Sequence, residues 1–414
     1  MDDQTDNNSA MMATNGLFYK MPQPLSVCVN RTFKKEYAQR QSYKPGETIV
    51  FDINSGSSYI DPSSCMLSFD IRVDAAVNRG NADNRYDFGT GAATNIIREI
   101  RLLSKNGCEV DRTQSSNVLS KILMDYTYGS DANRMLTMAG KGRYDFTLDS
   151  RKFVIPMSLL SGFFRPSVKG MKIPAGIAAG LRIEFILETA VRALTIQAGT
   201  MTGLTYIVES PELLFMAMDL NDPTQALLMR DSAETGLEYT FPSYFSTPHT
   251  TGSDRINEQV KKAVAQCTRS FCTVYDTAVV EDEQHDGFAS IDLTAHALGG
   301  FQFRVGSNYY PKKEITDVFE SLYVTSACFN KTTEIQTFPS NIDLNDYVVR
   351  GKFVIGVPIE TDSRLNLSGV PLNNSNVLEL RCTIAAHGSN LEYVLFIEYI
   401  TVARVFINST SIKN

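Results

Sequence analysis

The sequence predicts an all-β protein made of two tandem eight-stranded jelly-roll β-sandwiches with short inserted helices. The first observation is a repeat: Lys-Phe-Val-Ile occurs at residues 152–155 and again at residues 352–355, 200 residues later. After the first copy come a Ser-Gly pair at 161–162 and a strand-like run at 181–187, and after the second come a Ser-Gly pair at 368–369 and a run at 377–384. Three features in the same order indicate one β-rich unit used twice.

The second observation is alternation of apolar and polar residues. In residues 67–73 every second side chain is apolar, which is typical of a strand with one buried face. About eight such runs per half, with few and short helices, favour two-sheet sandwiches over a parallel α/β sheet. Eight-stranded sandwiches of two sheets are typically jelly rolls.

The first half then divides into a regular series of elements. Residues 99–102 alternate and lead to Asn106-Gly107, a favourable hairpin turn. Val118, Leu119 and Ile122 recur at helical spacing and predict a short helix. Further strands are predicted at residues 153–160 and 181–187, and residues 205–218 are interpreted as a buried strand pair broken near Pro211.

The second half repeats this order. A short helix marked by Ile315, Val318, Phe319 and Leu322 matches the helix near Leu119. Strands are predicted at residues 239–245, 263–275, 300–310, 353–359, 377–384 and 393–407. On this basis we expect Phe153 and Phe353 to occupy equivalent core positions.

A helix is predicted between the two halves. Asn221 and Asp222 precede Pro223 as a helix start, residues 226–229 favour helix, and Gly236 can end it. The predicted division is therefore a flexible N-terminal arm at 1–20, a first jelly roll at 21–220, a connecting helix at 221–236 and a second jelly roll at 237–414. The arm is expected to be mobile because residues 1–15 are polar and acidic.

Composition excludes several classes of function. A net charge of −7 over 414 residues gives no basic footprint, so sequence-specific nucleic-acid binding is not expected. No apolar run is long enough to span a bilayer, and residues 1–15 do not resemble a signal peptide. The seven cysteines are scattered without a C-x-x-C pair, which favours reduced thiols and no disulfide.

The search for catalytic or metal-binding residues yields none that we assign. His249, His285, His296 and His387 are far apart in sequence, and no nucleophile elbow, phosphate-binding loop or dinucleotide fingerprint occurs. The acidic loop at 281–286, which contains His285, could hold a cation, but a solvated loop is the favoured interpretation because its carboxylates lack a regular spacing. We therefore predict no catalytic residue, no cofactor and no metal.

Four stretches together resemble one family. They are the strand-turn-helix at 96–126, the strand at 153–156 followed by Ser161-Gly162-Phe163-Phe164, the segment at 301–311, and the turn at 368–372. They are similar to stretches of the double jelly-roll major capsid proteins of small eukaryotic double-stranded DNA viruses, such as Polinton-like viruses, adintoviruses and virophages. The most distinctive of them is Arg304-Val-Gly-Ser-Asn-Tyr-Tyr-Pro311.

The resemblance implies a structural protein. It would form homotrimers of pseudo-sixfold outline that tile an icosahedral shell, with neighbouring trimers, penton proteins and minor capsid proteins as partners. The protein would be made and assembled inside the host cell and reside in the virion, whether or not a membrane lies beneath the shell. The family has no catalytic residues to transfer. Residues 301–310 and 393–406, which are rich in aromatic side chains, are the expected sources of the trimer interface.

Two alternatives belong to other classes of function. A double jelly-roll hydrolase would need convergent carboxylates in a groove, for which Glu184, Glu209 and Glu379 are candidates, although exposure on a strand face explains each more simply. A carbohydrate-binding or adhesive module would need exposed aromatic side chains. Most aromatic residues fall within strand alternation, which favours a place in the core or in a subunit interface.

Overall fold

The fold was analysed in a computed structural model that describes residues 28–413, apart from 79, 82, 128–135, 142–145, 169, 235, 281, 330–341, 361–368, 386–389 and 407–408. The predicted arm at 1–20, Ser368 and His387 lie outside the described residues. The rest is dominated by antiparallel strands in four main sheets.

The first half contains eleven strands among the described residues. In chain order they are β1 (Cys28–Tyr37), β2 (Ser42–Tyr43), β3 (Thr48–Asn54), β4 (Tyr59–Val77), β5 (Arg85–Asp87), β6 (Ile97–Leu103), β7 (Glu109–Thr113), β8 (Arg151–Pro156), β9 (Ala179–Leu187), β10 (Thr195–Ala198) and β11 (Thr202–Leu220). One sheet has the order β1-β11-β4-β8 and the other β3-β9-β6-β7. If the eight strands of these two sheets are lettered B to I along the chain, the orders are B-I-D-G and C-H-E-F. This is a jelly roll.

The second half has the same topology. Its strands are β12 (Leu237–Thr251), β13 (Arg255–Val260), β14 (Val264–Asp276), β15 (Ala297–Val305), β16 (Asn308–Ile315), β17 (Ile355–Pro358), β18 (Val370–Leu372), β19 (Leu378–Ala385), β20 (Leu391–Phe406) and β21 (Ser409–Lys413). The sheets run β12-β20-β14-β17 and β13-β19-β15-β16, again B-I-D-G and C-H-E-F. The prediction of an all-β double jelly roll is confirmed.

Three longer helices complete the description: α1 (Ser116–Tyr126), α2 (Asp222–Glu234) and α3 (Val318–Phe329). Helix α1 connects strands F and G of the first roll, and α3 connects strands F and G of the second, so the two predicted helices occupy the same place in the topology. Helix α2 lies between β11 and β12. Single helical turns occur elsewhere, for example at Met157–Leu160 and Leu344–Val348.

The first Lys-Phe-Val-Ile segment lies within strand G of its roll (β8), and the second leads into strand G of the other roll (β17) and reaches it at Ile355. Phe153 lies within β8 and is paired with Phe69 of strand D, and Phe353 is buried two residues before β17 begins. The two following runs form strand H in each roll, as β9 and β19. The repeat in the sequence thus corresponds to the same G-to-H part of each sandwich.

Three predicted boundaries are wrong. Residues 153–160 are not one strand, because β8 ends at Pro156 and Met157–Leu160 forms a helical turn. Residues 205–218 are not a strand pair but part of the single strand β11, whose pairing with β4 shifts register between Glu209 and Glu212. Ser210 has a φ of 48° beside Pro211, so the proline marks a bulge within a continuous strand. Residues 300–310 are not one strand but the end of β15 and the start of β16, which turn at Gly306 with a φ of 58°.

Several rings of the aromatic-rich segments at 301–310 and 393–406 belong to the core of the second roll. Phe301 and Phe303 point into the second sandwich, and Phe396 stacks on Phe271 with 5.1 Å between ring centroids. These rings are fully buried because they sit at the inward positions of strands E, I and D. They serve the core of the second roll, whereas Tyr309 of the segment at 301–310 is 40% exposed. The part of these segments in a subunit interface therefore stays a prediction.

No helix in the described part of the chain has the length and apolar character needed to cross a bilayer. Cys65, Cys108, Cys267, Cys272, Cys328 and Cys382 are free thiols, and all but Cys108 are buried. Burial raises the pKa of the Cys328 and Cys382 thiols to about 12, so neither supplies thiolate near neutral pH.

These cysteines give a test of the folded core. We expect a thiol-alkylating reagent at neutral pH to modify Cys108 in the native protein and to reach the five buried cysteines only after unfolding. Peptide mass mapping without reductant, before and after denaturation, measures this directly. A reproducible disulfide between any two of the six would contradict the packing described above.

Candidate functional site at the junction of the two jelly rolls

The three carboxylates considered for hydrolysis do not converge. Glu184 lies on β9, Glu209 on β11 and Glu379 on β19, which belong to three different sheets. Each faces an arginine: Glu184 lies 3.1 Å from Arg182, Glu209 3.5 Å from Arg72, and Glu379 2.6 Å from Arg304. Glu184 and Glu209 are partly exposed, but the expected exposure is wrong for Glu379, which is buried and also lies 2.7 Å from Arg381. An ion pair accounts for each of the three carboxylates.

The histidines are separate as well. His249 lies 3.2 Å from Glu258 and stacks on Tyr393, and His296 lies 4.0 Å from Asp276. His285 contacts Asp282 at 2.8 Å on the surface. Among the described residues, no three His, Cys, Asp or Glu side chains form a group that could hold a metal ion.

The feature that distinguishes this chain is instead the junction between the two rolls. Helix α1 belongs by sequence to the first roll, yet Val118, Leu119 and Tyr126 are packed in the core of the second. Every residue of α1 is buried. The Tyr126 ring lies 4.9 Å from the ring of Phe329, and its hydroxyl donates to the Lys352 carbonyl at 2.7 Å. The helix therefore belongs to the first roll by sequence and to the core of the second roll by packing.

Lys121 fixes this helix in the second roll. Its ammonium group donates hydrogen bonds to the carbonyl oxygens of Phe288 and Gly351. Burial lowers the pKa of Lys121 to about 8, against the opposing effect of the Asp125 and Asp286 carboxylates. A buried amine of this kind is costly unless its donors are satisfied, so it selects one register of α1 against the second roll.

The second roll in turn contributes side chains of strand β12 to the core of the first roll. Tyr239 and Phe241 lie in the core of the first roll, and the Tyr239 hydroxyl donates to the Phe163 carbonyl at 2.6 Å. Gly162 approaches the backbone so closely that a Cβ there would lie 1.7 Å from the Pro242 carbonyl oxygen. The two hydrophobic cores thus interlock, each containing side chains from the other half.

A buried carboxyl lies between these contacts. Asp111 of β7 accepts hydrogen bonds from Ser161 at 2.5 Å and from Ser243 of β12 at 2.9 Å. Burial raises the pKa of Asp111 to about 6, and the two serine hydroxyls offset only part of that effect, while Glu109 adds to it. A polar cleft of about 150 Å³ opens beside it, between β7 and β12.

A second buried group of charges stabilises the same region. Glu398 of β20 accepts hydrogen bonds from Arg269 and from Tyr244, and Arg165 of the first roll donates to the Tyr244 hydroxyl at 2.7 Å. Burial is the largest single effect and raises the pKa of Glu398, but Arg269, the Tyr244 hydroxyl and Arg165 together outweigh it and lower this pKa to about 2. Arg165 of the first roll is thus hydrogen-bonded to the buried Tyr244–Glu398–Arg269 group of the second roll.

The acidic loop requires a correction, because two of its carboxylates are not simply solvated. Glu283 accepts hydrogen bonds from the backbone N–H groups of Gly203 and Leu204, at 2.9 and 3.0 Å, and Asp286 accepts one from Thr90 at 2.8 Å. All three donors belong to the first roll. The loop of the second roll therefore holds the first roll by charge-assisted hydrogen bonds.

None of Lys121, Asp111 or the acidic loop's contacts was identified from the sequence. Lys121 sits within an amphipathic helical pattern, where a lysine is normally expected on the solvent side. Its burial follows only from a second domain covering the opposite side of the helix. The only sequence feature that points to any of these contacts is the acidic loop at 281–286, whose carboxylates the sequence analysis interprets as solvated.

Gly162 offers the sharpest test of the junction. We expect Gly162→Ala to lower the free energy of unfolding by about 3 kcal/mol, because the added methyl group overlaps backbone of the second roll. Gly80→Ala is the matched control, since a Cβ there meets nothing within 4 Å. Chemical denaturation of both variants measures the difference, and equal stability of the two would contradict the close contact.

Asp111 gives the junction a defined pH dependence. A carboxyl whose pKa is raised in the folded state binds more protons there than in the unfolded chain between about pH 4 and pH 6, so its contribution to stability increases as pH falls through this window. We expect wild type to gain stability relative to Asp111→Asn as pH falls from 7 to 4, by at most about 3 kcal/mol. Thermal denaturation at several pH values measures this gain. A constant difference between the two proteins would exclude titration of Asp111.

The fold of this chain is similar to those of several solved viral capsid structures. The Faustovirus major capsid protein matches with a TM-score of 0.65 and 8% identity, covering 98% of each chain. A chain of the PBCV-1 virus capsid matches with a TM-score of 0.61 and 11% identity, covering 96% of this chain and 99% of that one. The mavirus major capsid protein matches with a TM-score of 0.54 and 11% identity, over 96% and 92%. At these identities the likeness establishes the fold.

No protein-family model matches the sequence, and no curated protein matches it.

Proposed function

We propose that this protein is a major capsid protein, a structural subunit whose trimers tile the icosahedral shell of a virus. The observation that carries the proposal is the full-length match in fold to proteins named as capsid proteins, which spans at least 92% of each chain compared. Because the matches cover 96–98% of this chain, they extend over both jelly rolls. A partial match to one jelly roll would not support this conclusion, because single jelly rolls host many functions.

The duplicated jelly roll and the rigid junction between its two copies suit a subunit that packs side by side in a shell. Residues 21–220 and 237–414 are proposed as two similar units joined by the connecting helix, so that three copies present six similar sides to their neighbours. A tile must transmit force between these sides without hinging. Interlocked cores, with α1 in the second roll and Phe241 in the first, provide that rigidity.

The partners follow from this role. They are two further copies of the chain in the trimer, neighbouring trimers, and the penton and minor capsid proteins that close the shell, in a virion assembled inside the host cell. With a net charge of −7, the protein is proposed to form its trimer without nucleic acid acting as a scaffold and without sequence-specific contact to it. It is proposed to catalyse no reaction. No observation among the described residues specifically favours the hydrolase or the adhesive alternative.

The proposal predicts a stable trimer in solution. We expect purified protein treated with nuclease to have three times the 46.0 kDa mass of one chain, and to keep that mass in moderately high salt. The reason is that burial of apolar surface is not screened by ions, and obligate interfaces commonly bury about 2,000 Å² or more. Multi-angle light scattering or analytical centrifugation measures the mass, and negative-stain microscopy shows whether the particles are pseudo-hexagonal.

A well-folded monomer at micromolar concentration would contradict this proposal. Trimers that dissociate on nuclease treatment would contradict the part of it that excludes nucleic acid as a scaffold.

A further inference from the structure

The two rolls are topologically equivalent, yet their first strands have different surroundings. Strand B of the second roll, β12, is covered by strand F (β7) and the turn at Gly162–Phe164, both from the first roll. Helix α1, which follows β7 in the chain, packs in the core of the second roll beside Phe329. Strand B of the first roll, β1, has no residue classed as buried. It is an edge strand, paired only with β11 among the described strands.

The uncovered strand carries large apolar side chains. Phe33 is 54% exposed and Tyr37 is 67% exposed, and both lie on the same side of β1 because they are four residues apart. Beside them on β11 lie Leu214, Met216 and Met218, which are half-buried and paired with Lys35, Phe33 and Arg31. We call Phe33, Tyr37, Leu214, Met216 and Met218 the β1 face. Exposed aromatic side chains grouped in this way mark a contact surface.

The second roll has the reciprocal feature. In the first roll, strand F and helix α1 cover the neighbouring roll, and their equivalents in the second roll are β16 and α3. Every residue of α1 is buried, but α3 exposes Phe319 to 66% and Tyr323 to 55%, and β16 exposes Tyr309 to 40%. Phe319 and Tyr323 are four residues apart and share one side of the helix. We call Tyr309, Phe319 and Tyr323 the α3 face.

We propose that the β1 face binds the α3 side of the second roll of another copy of this chain, in the way that the β7 and α1 side of the first roll contacts the second roll within one chain. This inference rests on the proposed trimer and specifies which surfaces form it. The contact is head-to-tail, since each copy offers one β1 face and one α3 face. In the proposed trimer this contact is repeated three times around a closed ring, which then contains six rolls.

The chemistry of the surfaces supports a second copy as the occupant. The covered strand β12 contributes Tyr239 and Phe241 to the core of the other roll, and the uncovered strand β1 offers Phe33 and Tyr37 in the equivalent strand. Aromatic side chains each bury about 150–250 Å² when covered, so the two faces together supply a substantial apolar contact. The contact between the first and second rolls within one chain is thus the model for the proposed contact between two chains.

The test uses one charge in each face. We expect Phe33→Glu and Phe319→Glu each to reduce the trimer to a monomer, because each places a carboxylate in the centre of an apolar contact. Both positions are on the surface of the single chain, so the fold should be retained, and circular dichroism and thermal denaturation check this. Leu227→Glu on α2 is the matched control, since Leu227 is 48% exposed and belongs to neither face. It should remain trimeric.

Mixing the two variants distinguishes a head-to-tail contact from a symmetric one. Phe33→Glu retains an intact α3 face and Phe319→Glu retains an intact β1 face, so an equimolar mixture can form one sound interface per pair. We expect light scattering at high protein concentration to show a species of two chain masses that neither variant forms alone. No species of three chain masses should appear, because the ring cannot close.

The outcomes separate this inference from the proposed function. A trimeric wild type together with trimeric Phe33→Glu or Phe319→Glu would overturn the assignment of the faces and leave the capsid proposal standing; in that case other residues of the chain, or another protein, cover β1. The absence of a dimer in the mixture would overturn the head-to-tail arrangement. A monomeric wild type would overturn the trimer itself, and with it both proposals.

Discussion

The structure depends on one exchange of apolar surface: each jelly roll completes the core of the other. A jelly roll with its own two sheets can form a sandwich alone, but here α1 leaves the first sandwich and fills the second, while Tyr239 and Phe241 of β12 enter the first. Burial of these side chains is the main favourable contribution to the junction, since it is proportional to the apolar area removed from water. The two halves therefore cannot separate without opening two cores, which makes the pair a single mechanical unit.

Polar groups at the junction contribute specificity rather than net stability. Lys121, Asp111 and Glu398 are all buried, and a buried charge pays a desolvation cost that its partners only repay when the geometry is right. Lys121 finds two carbonyl oxygens of the second roll, Asp111 finds Ser161 and Ser243, and Glu398 finds Arg269 and Tyr244. Another orientation of the rolls would remove both acceptors of Lys121, the Ser243 donor of Asp111, and the hydrogen bond from Arg165 to the Tyr244 hydroxyl. The apolar contacts bring the halves together, and the polar contacts permit one arrangement.

Local patterns in the sequence were sufficient for the elements and their duplication, because alternation, helical spacing and the repeated Lys-Phe-Val-Ile are all short-range signals. Residues 67–73, the helix near Leu119 and the helix near Phe319 were all found in this way. Single-residue signals were misread at Pro211, where a bulge keeps the strand continuous, and at Gly306, where a turn divides it. The junction could not be predicted at all, since the burial of Lys121 and the contacts of Glu283 depend on residues more than 75 positions away.

The difference between the two B strands explains how one fold can serve both inside a chain and between chains. In β12 the residues that enter the first roll are Tyr239 and Phe241, with no charged residue between them, as suits a contact formed once during folding. In β1 the aromatic residues Phe33 and Tyr37 are separated by Lys34, Lys35 and Glu36. Those charges keep the strand hydrated in a free chain and discourage edge-to-edge pairing, while the aromatic rings remain available to a partner. A contact that must form after folding needs both properties, and β1 has both.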